Sequence, residues 1–194
     1  MPKVITEYER QQTRNAIIEH TRNLIYQRKG INNFTVDDIV RSARLGKAKF
    51  YSYFDSKEEC LFEVVELSYK EQLEGFTLIM DSDDSLRNKM IRFLKEIYLS
   101  ETSINNYFSP EDFELVLRKL PPEFIEKEER MTNSVLEQAM EYIDLNQTQL
   151  ESLVMLLDCL TYTASYPAIS KEAKEETLDT LVYSIADYIE KNTN

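Results

Sequence analysis

Apolar residues recur at helical spacing along most of the chain, and no stretch shows the strict apolar and polar alternation of a half-buried strand. In the first such stretch Ile17, Leu24 and Ile25 share one helical face, and Gly30 follows as a stop signal. This pattern predicts a first helix over about residues 8–28. We therefore expect an all-α protein.

Two short helices are predicted after the first one. Thr35 and Asp38 form a T-x-x-D capping box, in which the hydroxyl caps the new helix and the carboxylate reaches back to its start. The box predicts a helix over about residues 36–43. After a tight break at 44–46, a third helix is predicted over 47–53.

A long helix follows the two short ones. Ser56 and Glu59 form a second capping box, S-x-x-E, which opens a helix over about residues 57–80. Such a helix is roughly 36 Å long and could connect two ends of a molecule. Further helices are predicted over about residues 86–101, 111–119, 121–143, 147–166 and 171–191.

Composition supports the helical prediction, and charge adds a functional hint. The chain has only 3 Gly and 5 Pro in 194 residues. Residues 1–60 carry 11 Lys and Arg against 8 Asp and Glu, a net of +3, whereas the rest carry 12 against 27, a net of −15. A basic head on an acidic body predicts an anionic partner for the head.

Several other classes of protein find little support in the sequence. Cys60 and Cys159 stand far apart and are expected to be reduced packing residues. The chain shows no membrane-length apolar run and no signal-peptide core, so we expect a cytoplasmic protein without a membrane partner. The only histidine, His20, is expected to be exposed, and no nucleophile elbow, phosphate loop or carboxylate pair stands out. We therefore expect neither an enzyme nor a cofactor. The acidic run at 81–85 lacks the later Gly and Glu of a calcium loop, so we also expect no metal site.

The segment GKAKFYSYFDSKEE, residues 46–59, gathers three lysines and four aromatic rings in an acidic chain. Two short helices joined by a tight turn are the parts of a helix-turn-helix DNA reader. The second helix of such a reader needs polar or basic residues toward the bases, and Lys47 and Lys49 meet this need. Phe50 and Phe54, at i and i+4, would hold the helix to its scaffold.

The remaining members of this segment also suit a DNA surface. Tyr51 and Tyr53 can contact sugars, thymine methyls and phosphates, and Lys57 lies at a helix N-terminus that favours phosphate. The alternative is that the lysines are merely solvated and the rings are ordinary core residues. The spacing of the residues alone does not exclude this alternative.

Residues 35–64, TVDDIVRSARLGKAKFYSYFDSKEECLFEV, resemble the DNA-binding signature of the tetracycline-repressor (TetR) family. That signature has a threonine opening the second helix, an isoleucine within it, a small-residue turn and a Lys-, Tyr- and Phe-rich third helix before Ser-Lys-Glu. The matching positions here are Thr35, Ile39, Ala43, Lys47, Tyr51, Tyr53, Phe54, Ser56, Lys57, Glu58 and Leu61, of which Leu61 is displaced by one residue. The resemblance extends over about residues 14–65 and is specific as a set.

The chain departs from that signature in its turn. Arg44 stands where the family has a glycine, at a cost on the order of 1 kcal/mol in a left-handed conformation. Gly46 replaces the usual Ser or Thr cap, Ala48 replaces Gly and Phe50 replaces Leu. Arg44 could add a phosphate contact. The DNA-contacting residues that the resemblance implies, together with Arg44, are Thr35, Arg44, Lys47, Lys49, Tyr51, Ser52, Tyr53 and Lys57.

The resemblance implies two domains, a DNA-binding domain over residues 1–55 and an effector-binding and dimerisation domain over 56–194. Residues 153–160, LVMLLDCL, are apolar nearly all round a helix, and the last helix carries a clean apolar stripe. A monomer's own core would explain both, but family members dimerise through their last two helices. The predicted interface residues are Leu153, Leu156, Leu157, Leu160, Leu178, Leu181, Val182, Ile185 and Ile189.

The middle helices resemble the more variable ligand-binding region of the family. Apolar and aromatic residues at helical spacing are more often plain core than ligand contacts, and both interpretations stay open here. The candidate effector-contacting residues are Met90, Phe93, Tyr98, Phe113, Met131, Met140, Tyr142 and Tyr162.

These observations predict a transcriptional regulator, most simply a homodimeric repressor that binds a near-palindromic double-stranded DNA operator. A small-molecule effector would release it by favouring a conformation with the wrong spacing between recognition helices. The alternative is a DNA-binding regulator with no small-molecule inducer, which is constitutive or controlled by a protein partner.

Overall fold

The computed structural model describes residues 6–167 and 170–193, and within them every regular element is helical, which confirms the all-α prediction. Nine α-helices are found in this described part of the chain. They are α1 (Glu7–Arg28), α2 (Val36–Ser42), α3 (Lys47–Phe50), α4 (Lys57–Met80), α5 (Leu86–Arg92), α6 (Pro110–Leu117), α7 (Glu123–Met140), α8 (Gln147–Ser165) and α9 (Lys171–Asn192).

The end of α1 combines two unusual backbone conformations. Lys29 is left-handed at φ 56°, and Gly30 follows at φ 136°, a value that favours glycine. The Gly30 N–H donates to the carbonyl of Ile25 at 3.1 Å, which satisfies one of the last carbonyls of the helix. Gly30 therefore does act as the predicted stop signal.

The capping box at the start of α2 is present as predicted. The Asp38 N–H donates to the hydroxyl of Thr35 at 3.4 Å, and the Thr35 N–H donates to the carboxylate of Asp38 at 2.8 Å. These contacts lower the pKa of Asp38, chiefly through the Thr35 N–H and then through its hydroxyl. Arg44 takes the expected left-handed conformation at φ 55°.

The helix after this turn is shorter than predicted, and the second capping box is only half formed. α3 ends at Phe50, because the chain continues to Tyr53 in tight i→i+3 turns rather than as an α-helix. At α4 the Glu59 N–H donates to the hydroxyl of Ser56 at 3.0 Å. The Glu59 carboxylate, however, accepts from the N–H of Asp55, one residue before the position that a box requires.

The head of the molecule is built on one hydrophobic cluster, which joins α1, α2 and α3 to the first two turns of α4. Ile17, Ile39 and Phe50 are fully buried within it. Cys60 of α4 and Phe108, far along the chain, belong to the same cluster. The head core thus extends past residue 55, and the division at 55/56 stays a prediction.

The body is built on a second cluster, in which α8 and α9 pack against α5 and the C-terminal half of α4. The helix predicted over 86–101 changes character at Phe93, because residues Phe93–Tyr98 are π-helical. This π-helical segment packs closely on α4, since a side-chain carbon added at Gly75 would lie 3.0 Å from Ile97. Within the described residues, no helix is long and apolar enough to cross a membrane.

Candidate nucleic-acid interface and internal cavity

Helix α3 divides its side chains between the core and solvent. Phe50 and Phe54 are buried, at 0% and 1% exposure, with ring centroids 5.5 Å apart. Lys47 and Ser52 are exposed, and Tyr51 is 47% exposed. Because the buried pair anchors the helix, it presents a basic and aromatic surface in a fixed orientation.

The exposed charges of this surface are only weakly engaged. The Lys47 ammonium lies 3.1 Å from the carboxylate of Asp37, and both side chains are more than half exposed. The Arg41 side chain, 77% exposed, lies 3.2 Å from Asp38, and Arg44 is exposed as well. Exposed ion pairs contribute on the order of 1 kcal/mol or less, so a phosphate could displace the acidic partners. Arg41 was not among the predicted contacts.

Two of the predicted DNA contacts, Tyr53 and Lys49, pack against each other in the head. Tyr53 is 8% exposed, and although burial raises the pKa of its hydroxyl, the nearby Thr13 and Lys49 side chains lower that pKa overall. The Lys49 ammonium lies 5.0 Å from the Tyr53 ring centroid. Tyr53 therefore fixes the position of Lys49, which is half-buried, rather than presenting its own hydroxyl.

Lys57 performs a similar structural task at the start of α4. Its ammonium donates to the carbonyls of Ile31 and Phe34 at 2.6 and 2.7 Å and lies 4.4 Å from the Phe34 ring centroid. Burial lowers the pKa of Lys57. Since these carbonyls belong to the turn before α2, Lys57 ties α4 to that turn. Thr35 is exposed, but its hydroxyl is engaged in the cap of α2.

Sequence reasoning missed the residue that joins the elements of the head. Arg14 of α1 bonds to the carboxylate of Glu63 on α4 and to the carbonyl of Tyr53, and its guanidinium lies 4.3 Å from the Phe54 ring centroid. The three contacts hold α1, the end of the α3 turn and α4 together. A lone arginine on a mixed helix face gave no local signal of this role.

The prediction for His20 was wrong. The ring is half-buried rather than exposed, and its Nδ1 lies 2.9 Å from the hydroxyl oxygen of Ser42. Its neighbours in sequence, Glu19 and Arg22, are charged and suggested a solvated face. The packing of α2 across α1 covers the histidine instead.

The body encloses a cavity of about 220 Å³ between α4, α5, the π-helical segment, α7 and α8. Four of the eight predicted effector contacts line it, namely Met90, Phe93, Tyr98 and Met140. Because Met140 lies about forty positions after the other three, the sequence could not show that they meet.

The other four candidates lie elsewhere. Phe113 packs against Phe62 and Phe108 on the head side, with centroids 6.2 and 5.9 Å apart. Met131 lines a broad surface groove between α1, α4 and α7. The remaining two are Tyr142 and Tyr162. The Tyr142 hydroxyl donates to the carboxylate of Asp81 at 3.0 Å, and Tyr162 is 45% exposed on α8.

The polar residues of the cavity were mostly missed. The hydroxyl of Tyr98 lies 2.6 Å from that of Thr161, and burial raises the pKa of Tyr98 to about 12. Tyr69, Gln72 and Asp158 also line the cavity. Asp158 alone left a trace in the sequence, because it is the single charged residue in the apolar run 153–160.

The predicted dimer residues divide into three groups. Leu160, Val182, Ile185 and Ile189 have 0% exposure in a single protomer, so they belong to its own core and cannot form an interface surface. Leu153 and Leu157 line the cavity. The half-buried members of the set are Leu156, Leu178 and Leu181.

The outward face of α8 and α9 carries different residues. Met155, at 69% exposure, Cys159 and Tyr162 lie on one side of α8. The neighbouring face of α9 carries Thr177 and Thr180, among other small residues. The apolar stripe read from the sequence therefore faces inward, because each helix buries its most apolar side within the protomer.

Comparisons with known proteins agree with this architecture. Residues 17–64 match the profile of the family described as "Bacterial regulatory proteins, tetR family". An uncharacterised helix-turn-helix-type transcriptional regulator in the lacX 3′ region of Lactococcus lactis subsp. lactis is 30% identical over 105 residues. That match spans 52% of this chain and 52% of the relative, so it covers about half of each protein.

Solved structures share the fold over nearly the whole chain. A protein assigned to the TetR family from Syntrophomonas wolfei superposes with a TM-score of 0.61 at 16% identity, covering 94% of this chain and 97% of its own. NemR from E. coli, in its reduced form, gives 0.59 at 16% identity over 94% and 98%. RolR in complex with resorcinol gives 0.56 at 16% identity over 97% and 98%.

Proposed function

We propose that this chain, which belongs to the TetR family of transcriptional regulators, is a homodimeric repressor released from its operator by a small molecule. The observation that carries DNA binding is the division of α3 and the turns that follow it, in which Phe50 and Phe54 are buried while Lys47 and Tyr51 are exposed. A helix held in this way can enter a major groove without losing its own packing. The relatives are named as regulators rather than enzymes, in agreement with the expectation from sequence.

Within this proposal the DNA-facing residues have distinct tasks. Lys47, Tyr51 and Ser52 lie outward on or just after α3 and would face base edges and adjacent phosphates. Arg41 and Arg44 flank the turn and would bind phosphate through their exposed guanidinium groups. The tasks of Lys49, Tyr53 and Lys57 would be to position this surface rather than to extend it.

The outward face of α8 and α9 supports a dimer. Three of its threonine hydroxyls are already bonded within their own helices: Thr163 donates to Cys159, Thr177 to Ala173 and Thr180 to Glu176, each to the main-chain carbonyl at 2.7–2.8 Å. These three hydroxyls would stay satisfied if the face were buried against a second copy. A twofold dimer would place two α3 helices in successive major grooves, about 34–36 Å apart.

Helix α4 supports the effector-release part of the proposal. Lys57 at its N-terminus binds the turn before α2, and Tyr69 and Phe76 in its later turns line the cavity. A ligand that favours a shifted α4 would therefore move α2 and α3 relative to their twofold mates. A second connection runs through the loop after the π-helical segment, in which Ser103 and Asn105 donate to the carbonyl of Tyr98 at 2.6 and 3.1 Å. Tyr107 of the same loop contacts the head, with its ring centroid 5.5 Å from that of Tyr26. The cavity also favours an effector over a regulator without one.

The test of DNA binding is a fluorescence-anisotropy titration of the protein on duplex DNA flanking its own gene, at several salt concentrations. We expect saturable binding with two protomers per site and a steep loss of affinity with salt. The double variant Lys47→Ala, Tyr51→Ala should lose specific binding while its thermal unfolding is unchanged, because both side chains are exposed.

Lys70→Ala is the matched control. It removes the same charge from an exposed site on α4 that lies roughly 20 Å along the helix from Lys57. This variant should bind DNA as the parent chain does. Absence of binding by the parent chain even at low salt would contradict the proposal, and equal loss in both variants would show that only net charge matters.

A further inference from the structure

The lining of the body cavity is largely apolar, with Gln72, Thr132 and Asp158 among its few polar side chains. Its walls are formed largely by aliphatic and aromatic side chains, with the rings of Phe76, Phe93 and Tyr98 among them. Among the lining residues that the structure describes, no Lys, Arg or His occurs, and Asp158 is the one side chain with a charge at neutral pH. The cavity therefore combines a large apolar surface with a single negative charge.

That charge has no partner within the protein. The carboxylate of Asp158 makes no hydrogen bond or ion pair with any residue in the described part of the chain. Asp158 is an exposed residue of α8 that borders the cavity, and partial desolvation there raises the pKa of its carboxyl. A solvated carboxylate without a protein partner at this position can form a charge-assisted contact with a cation that enters the cavity.

A second polar group lies close to this carboxylate. Tyr69 lines the cavity, and its hydroxyl also lacks a hydrogen-bond partner among the described residues. Burial raises the pKa of Tyr69, and the nearby Tyr98, Glu128 and Asp158 raise it further. The phenol therefore stays protonated, and aromatic rings such as those of Tyr69 and Tyr98 in the lining can attract a cation.

We propose that this cavity binds a small cationic amine, with the ammonium group paired to Asp158 and the apolar part of the molecule enclosed by the aromatic and aliphatic walls. This inference rests on the proposed function, because it gives the chemical class of the effector. A neutral ligand would gain no charge-assisted contact with this carboxylate. An anion would be repelled both by Asp158 and by a chain whose net charge is −12.

The volume restricts the size of the amine. At about 220 Å³ the cavity is smaller than the roughly 300–1,000 Å³ that is typical of sites for drug-sized ligands. A single ring with a short amino side chain satisfies this limit. The ring would replace water along the walls, while the amine remains at the end where Asp158 and Tyr69 lie.

The test uses three probes that share a phenyl ring and differ in charge: 2-phenylethylamine, 2-phenylethanol and phenylacetate. Each is titrated into the full chain at pH 7 by isothermal titration calorimetry. We expect the amine to bind roughly tenfold or more tightly than the alcohol, as a charge-assisted contact requires, and phenylacetate to bind more weakly still.

Two variants with the same charge change locate the site. Asp158→Asn should remove the preference for the amine and leave the affinity for the alcohol within about twofold, because the amide retains the shape of the carboxylate. Glu151→Gln lies two helical turns earlier on α8, outside the cavity lining, and should keep the preference. Far-UV circular dichroism checks that both variants are folded.

Three outcomes would overturn the proposal: no binding of the amine, equal binding of amine and alcohol to the parent chain, or a preference that survives Asp158→Asn. The same samples are titrated with operator DNA to separate this inference from the proposed function. DNA binding without amine binding refutes the ligand class alone, whereas amine binding without DNA binding refutes the repressor and leaves the ligand class standing.

Discussion

The head and the body both bury aromatic side chains, but they pack them differently. In the head, Phe50 and Phe54 have almost no exposed surface and fill the space between α1, α3 and α4. In the body, Phe93 and Tyr98 are half-buried, because one side of each ring faces a cavity. A filled core holds a recognition helix in one orientation, whereas an open one leaves volume for a second molecule.

The two regions also treat their carboxylates in opposite ways. Asp38 in the head accepts hydrogen bonds from Thr35, which lowers its pKa and favours the charged form. Asp158 in the body has no such donors, and burial raises its pKa. Asp38 is therefore satisfied within the head, whereas Asp158 has no hydrogen-bond donor among the described residues.

The largest expected difference concerns the two phenylalanines. Phe50→Ala should lower the free energy of unfolding by about 3–5 kcal/mol, since it leaves a void in a filled core. Phe93→Ala should cost about half as much, because part of the ring already faces open volume. Chemical denaturation measures both. Leu78→Ala, at a site 77% exposed, is the control and should change little. Equal costs for the two phenylalanines would remove the contrast between filled and open cores.

A change of pH should have a smaller effect on the stability of the protein, and the sign of this effect differs between Asp38 in the head and Asp158 in the body. The pKa of Asp38 lies below its ordinary value of 3.8, so its stabilising contribution is complete above that pH and is lost as pH falls through the lower value. The pKa of Asp158 is raised, so its contribution is complete below its ordinary value of 3.8 and is lost as pH rises through the higher value.

Thermal unfolding of the parent chain, Asp38→Asn and Asp158→Asn, compared over about pH 3–6, tests this contrast. The difference between parent and Asp38→Asn should grow with rising pH in favour of the parent. The difference between parent and Asp158→Asn should change in the opposite direction. Parallel pH trends for the two variants would mean that the carboxylates are not in opposite environments.

The smallest effect concerns helix caps, for which head and body should behave alike. Gly46→Ser adds a capping hydroxyl to α3 at a site with open space, and it should stabilise the protein by a few tenths of a kcal/mol. Ser85→Gly removes the hydroxyl that accepts from the N–H of Asn88 at 3.3 Å at the start of α5, and it should destabilise by a similar amount. Thermal denaturation of both variants gives the two values. A strong effect in one region only would show that the cap is coupled to tertiary packing.

Local signals in the sequence predicted most of the head. Thr35 with Asp38, the left-handed Arg44 and the i, i+4 pair Phe50 and Phe54 each involve residues a few positions apart, so their geometry follows from the helix itself. α4 was predicted at its observed bounds for the same reason. The capping residue Ser56 stood next to a long stretch with helical periodicity.

The sequence could not determine which faces the packing would cover. Leu160, Val182 and Ile185 were read as a dimer surface, but they fill the protomer's own core, because periodicity identifies an apolar face without saying what lies against it. Lys57 was read as a phosphate ligand, but it binds two carbonyls that lie more than twenty positions earlier in the chain.

The sequence by itself determined that the chain is helical, where α2 and α4 begin and which basic and aromatic residues gather around α3, because these depend on neighbours within about one helical turn. The tertiary structure alone decided that Tyr69, Tyr98 and Asp158, from three distant helical segments, meet around one cavity. The close packing of Gly75 in α4 against Ile97 of the π-helical segment is likewise a contact between distant parts of the chain. Contacts of this kind arise from how whole helices pack, and no local pattern of residues encodes them.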